Sequence, residues 1–167
     1  MRHVRRVTML LIAVARLGAG LSFAVLCAAV LIQVAGRTLG VSPVWTEELT
    51  RFALLYLIAF GAGLALRSGD LVNVDVIVAA LPVRAAWLFR LIAAGATAGL
   101  ALYLLPHAWR FVAIGAMQRA PALGLRMDFA HVTVWLMLAL LALFAALRVV
   151  GMLSGAEDGT PDARAED

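Results

Sequence analysis

With 167 residues, 64% of them hydrophobic and 14% charged, and a mean hydropathy of +0.98, the chain is far more apolar than a soluble domain of its size needs for a core. Its net charge of +4 arises from fourteen arginines and no lysine, spread among apolar runs, which excludes the concentrated basic face of a nucleic-acid binder. The composition predicts an all-α integral membrane protein.

At about 20 apolar residues per bilayer crossing, four transmembrane helices are predicted over 9–35, 45–66, 86–108 and 129–150, in a membrane domain covering 1–153. The first exceeds one crossing, so it is expected to tilt or to begin along the interface, which lets Arg16 snorkel toward the headgroups. Arg5-Arg6 and Ala13-Val14-Ala15 imitate a cleavable signal peptide. The long apolar stretch that follows directly fits an uncleaved helix better. Cys27 lies within it as a small apolar filler, and a single cysteine allows no intrachain disulfide.

A turn over 36–43 follows, with Ser42 as N-cap and Pro43 at the first helical position. The second helix opens on Trp45-Thr46-Glu47-Glu48-Leu49-Thr50-Arg51, with Trp45 at the level of an aromatic belt. A helix entering the bilayer at Trp45 carries Arg51 about 9 Å deeper. Charge at such depth is costly and is usually paired, buried or functional. Glu47 and Glu48 precede Arg51 by four and three residues, so all three can share one helix face, either as a self-neutralised helix start or as a clamp to another helix.

The segment 67–84 is the most polar interior stretch, yet Leu71, Val72, Val74, Val76, Ile77, Val78 and Leu81 make it too apolar for a flexible loop. It reads as a short interfacial helix between the second and third spans, closed by Pro82. Arg67 and Arg84 at its edges are placed to meet phospholipid headgroups, and Asp75 to act as a cap or polar contact. The third helix is expected to kink at Pro106 and to emerge into water beyond it, near His107, Arg110, Gln118 and Arg119. A compact loop over 121–128 precedes the fourth helix, and 154–167 reads as an acidic, disordered tail.

The arginines orient the chain. With Arg16 and Arg51 set aside, one side holds Arg2, Arg5, Arg6, Arg67, Arg84, Arg90, Arg148 and Arg164, and the other Arg37, Arg110, Arg119 and Arg126. Eight against four predicts that both termini are cytoplasmic. Enzyme chemistry finds no support: there is no Gly-x-Ser-x-Gly elbow, and the absence of lysine rules out a Walker-type phosphate loop. No metal or cofactor is expected. His107 and His131 fall near one membrane face and form a minor alternative, paired axial ligands of a haem-binding membrane anchor. Gly95 and Gly99 offer a small-residue packing face.

The order of features from Arg37 to Pro82 carries more information. Arg37, a short turn, Trp45-Thr46-Glu47-Glu48, Arg51, Phe60-Gly61-Ala62-Gly63, Arg67-Ser68-Gly69 and Val74-Asp75 before Leu81-Pro82 together resemble the small membrane subunit of tripartite ATP-independent periplasmic (TRAP) transporters, the DctQ-like family. Leu71 stands where members of that family often carry a histidine. The resemblance implies a multi-pass protein of the bacterial inner membrane whose partners are a large TRAP membrane subunit and a periplasmic solute-binding protein, in sodium-coupled uptake of an organic acid. It further implies that this chain braces the large subunit and has no translocation site of its own. Arg37, Trp45, Glu47, Glu48 and Arg51 would then form a subunit-interface or structural clamp. The rival from another class is a self-contained proton-coupled exporter using Glu48, which Arg51 opposes by competing with a cationic substrate.

Overall fold

The computed structural model of the chain describes residues 2–41, 43–68 and 81–155. Among them are four long helices, α1 (Arg2–Thr38), α2 (Trp45–Ser68), α3 (Val83–Gly115) and α4 (Asp128–Leu153), with no strand beyond one isolated bridge between Arg119 and Arg126. Each is long and apolar enough to cross a membrane. The all-α, four-span membrane architecture follows. The interfacial helix expected over 67–84 falls mainly on 69–80, outside the described residues, as do Asp75 and the Ser42 cap.

The helices do not form a square bundle. α1 packs along α2, α2 against α4, and α4 against α3, while α1 only brushes α4. In space the order is therefore α1, α2, α4, α3, a row with α2 and α4 at its centre. The central pair is also the better buried. Register follows from close approaches. A Cβ on Gly18 would lie 2.6 Å from the Phe60 ring, so α1 and α2 are antiparallel. A Cβ on Gly63 would lie 3.1 Å from Leu140 and Phe144, and Phe52 shares a cluster with Ala130, so α2 and α4 run parallel.

Small residues make these approaches possible. Among the described residues the buried positions are dominated by alanine, including Ala59, Ala98, Ala101, Ala130, Ala142 and Ala145, with Phe60 and Phe144 as the large knobs. That composition fits association in lipid, where burying apolar area gains little and backbone proximity gains dispersion contact.

The α1–α2 turn is closed by local backbone bonds. Val41 N–H donates to Gly36 C=O at 2.9 Å and Gly40 N–H to Arg37 C=O at 3.2 Å, with Gly40 at φ 74°, a Schellman ending that needs a residue free of Cβ strain. Gly36 is needed as well, because the returning chain places Pro43 Cδ 2.9 Å from where its Cβ would be.

α3 continues as helix past Pro106 through Gly115. Proline removes one donor, but Ala108, Val112 and Gly115 stay buried, and that packing carries the helix onward.

Candidate functional site

The features read from the sequence around Trp45 meet the α3–α4 loop. Phe52 is seven residues into α2 and Ala130 two residues into α4, and both belong to one cluster. At 1.5 Å per residue the start of α2 therefore projects about 8 Å beyond the start of α4. The loop 116–127 folds over this projection and buries Phe52 beneath Ala120, with Leu55, Leu123 and Met127 packed around them.

The loop has its own short neck. Ala120 N–H donates to Leu125 C=O at 2.8 Å, and Met127 N–H to Gln118 C=O at 3.0 Å. At its tip Gly124 N–H donates to Ala120 C=O at 2.9 Å, closing a single helical turn with Pro121 in the first position and Gly124 at φ 65°. Such a turn leaves its first amides unpaired. Pro121 has none, so Ala122 and Leu123 supply the free donors.

Glu48 takes both. Its Oε1 accepts from Ala122 N–H at 3.1 Å and its Oε2 from Leu123 N–H at 2.8 Å. The carboxylate acts as the cap of a helical turn more than seventy residues away in sequence, and hydrogen bonds to an ionised acceptor are stronger than neutral ones. Thr46, fully buried, fixes the helix start from which Glu48 reaches, because its hydroxyl donates to Pro43 C=O at 2.6 Å.

The other acid and the arginine are placed differently. Glu47 and Arg51 are exposed, and among the described residues neither side chain has a hydrogen bond or ion pair. With Val44, Trp45, Glu48, Pro121 and Ala122 they line a cleft of ≈ 580 Å³. Arg51 immediately precedes Phe52, whose cluster includes Ala130 of α4. The register puts it level with the first turn of α4, at the height of the Arg126–Asp128 ion pair of 2.7 Å. Arg37 is exposed beyond this corner. Arg67 is half-buried at the far end of α2, and Arg84 is exposed at the start of α3.

Two further ties were not legible in the sequence. Tyr56 OH donates to Phe129 C=O at 2.9 Å, linking α2 to the first turn of α4. At the other end Arg148 Nη1 donates to Leu66 C=O at 3.4 Å, an acceptor in the last turn of α2 that has no partner within the helix. The parallel pair is thus held near both ends by a side chain of one element on the backbone of another. Tyr56→Phe removes one such bond and is expected to lower stability by about 0.5 to 1.5 kcal/mol. Thermal unfolding of the detergent-solubilised chain checks this, and an unchanged midpoint would show that the bond contributes nothing.

The histidines are placed in separate roles. His107 Nδ1 lies 3.1 Å from Tyr103 C=O in its own helix. His131 stacks on Phe111, with centroids 4.0 Å apart, and its Nδ1 lies 3.1 Å from Phe111 C=O. A carbonyl only accepts, so Nδ1 carries the proton in that bond. His131 serves as a strut between α3 and α4, seated against Gly115.

None of the curated proteins compared with the chain matches it. A family model described as tripartite ATP-independent periplasmic transporters, DctQ component, matches residues 26–155 and so covers everything from the middle of α1 to the end of α4. The chain belongs to that family of transporter components.

Proposed function

We propose that this small membrane subunit braces a large transport subunit in the bacterial inner membrane, with both termini cytoplasmic, in sodium-coupled uptake of an organic acid delivered by a periplasmic binding protein. The observation that carries the bracing role is the central parallel pair, α2 and α4, tied near one end by Glu48 and Tyr56 and near the other by Arg148. Transport subunits coordinate solutes and ions at broken helices near the midplane. Here each of the four helices runs unbroken across its described length. A stiff element of this kind suits a stator.

In this reading Glu48 is the structural clamp, and Arg37, Trp45, Glu47 and Arg51 form the polar corner of the outer leaflet beside the large subunit. Arg67 and Arg84 face headgroups of the inner leaflet. The exporter alternative loses ground at Glu48, because both of its oxygens accept from backbone amides and a cationic substrate would have to compete with those bonds.

The reading is tested on the complex purified with this chain tagged, from mildly solubilised membranes. A large polytopic partner in constant ratio is expected. Spin labels on α2 and α4 should keep the same separation whether or not solute and sodium are present. A homo-oligomer without a large partner, or a label separation that changes with solute, would overturn it.

A further inference from the structure

The cleft beside Trp45 holds opposite charges that do not meet. Glu47 precedes Arg51 by four residues, the favourable order for an ion pair along a helix, with Cβ atoms about 6 Å apart. Yet among the described residues the two side chains stand unpaired on the walls of a ≈ 580 Å³ cleft. Glu48, the third charge, is already committed to Ala122 and Leu123. The cleft therefore presents the unpaired carboxylate of Glu47, the unpaired guanidinium of Arg51 and the half-exposed indole of Trp45, with the amide-bound carboxylate of Glu48 adding negative charge to its wall.

Its height matters as much as its charge. Arg51 is level with the ion-paired start of α4, where the apolar helices end, and exposed Leu54 and Ile58 continue below on α2. A ligand fitting the whole site has an anion for Arg51, a cation for Glu47 a few ångströms away, and an apolar tail that runs down α2.

We propose that the cleft binds the headgroup of a zwitterionic phospholipid of the outer leaflet, its phosphate on Arg51 and its ammonium on Glu47 beneath Trp45. Guanidinium meets phosphate through paired N–H donors, and the indole face attracts an ammonium. An anionic headgroup without the ammonium would satisfy Arg51 alone and leave Glu47 facing a phosphate. The site thus favours a headgroup that carries an ammonium beside its phosphate, in contrast to purely basic pockets that collect anionic lipid. The inference goes beyond the bracing role, and its choice of leaflet rests on the orientation proposed above.

The test is native mass spectrometry of the full chain, with whatever large subunit copurifies, released from nanodiscs of equimolar phosphatidylethanolamine and phosphatidylglycerol. A retained phosphatidylethanolamine is expected, in at least about fivefold excess over phosphatidylglycerol, a discrimination of roughly 1 kcal/mol. Glu47→Gln should bring the two lipids to parity while Glu47→Asp restores most of the preference. Arg51→Gln should abolish retention of both. Equal retention of the two lipids by the unaltered chain, or a preference indifferent to both substitutions, would overturn the proposal. Displacement of the lipid by micromolar glycerophosphoethanolamine would also overturn it, by identifying a soluble ligand instead. Circular dichroism of each variant verifies that the helices are intact.

Discussion

Glu48→Ala is expected to release the α3–α4 loop from α2 and to lower stability by about 2 to 4 kcal/mol, the loss of two charge-assisted hydrogen bonds reduced by the access of water to the loop. The loop has little else to hold its tip. Gly124 and the neck bonds shape it internally, but among the described residues only Glu48 and the packing on Phe52 and Leu55 fasten it to α2. Amide hydrogen exchange reads the effect directly, because Ala122 and Leu123 are the protected donors. Their exchange should accelerate by about 10- to 100-fold, in line with a local opening cost of 1.4 kcal/mol per tenfold. Glu48→Gln keeps one acceptor oxygen and should fall about midway. If exchange at Ala122 and Leu123 is the same in Glu48→Ala as in the unaltered chain, the carboxylate does not cap this turn.

The second large effect is expected at the junction of α3 and α4. A Cβ on Gly115 would meet the His131 ring and lie 2.9 Å from the backbone nitrogen of Asp128. A ring can turn aside, but a backbone atom in the first turn of a helix cannot. Gly115→Ala must therefore push the two helices apart, at a cost typical of overpacking, about 1 to 3 kcal/mol, and the His131 bond to Phe111 is lost with it. Gly95→Ala is the control, because a Cβ there meets nothing within 4 Å. By helix propensity it should be neutral or slightly stabilising in the same unfolding measurement. Equal midpoints for the two variants would contradict the close approach at Gly115.

The four helices could be read from apolar length because a bilayer fixes how long a crossing helix must be. Their spatial order could not. A helix apolar on all sides does not advertise which face meets a neighbour, and in lipid that choice falls to small residues scattered along every helix. Gly95 and Gly99 carry the familiar spacing but stand open, whereas Gly18, Gly63 and Gly115 make the contacts. At the candidate site the acidic and basic residues were visible as costly in context, but their partners were not. Glu48 bonds to amides of Ala122 and Leu123, and an amide looks the same in every residue. A clue was present in Pro121 and Gly124, which bracket one helical turn with an uncapped start. The offset of α2 relative to α4, which sets Arg51 level with the first turn of α4, comes from packing between distant segments and has no counterpart in the local sequence.

The Glu48 tie also sets an order on synthesis. Its donors lie 74 and 75 residues downstream, so α2 is complete while the groups that will cap onto it have not been made. At ordinary translation rates of 5 to 20 residues per second that interval is about 4 to 15 s. Throughout it the first half of the chain sits in the membrane as a helical hairpin whose acidic corner is open, and Leu66 waits still longer for Arg148. The loop donors are made first and Arg148 about 25 residues later, so the two ties of the α2–α4 pair become available in sequence. A nascent chain that ends before Pro121 therefore has Glu48 without its amide donors and Phe52 without the loop packing of Leu123 and Met127.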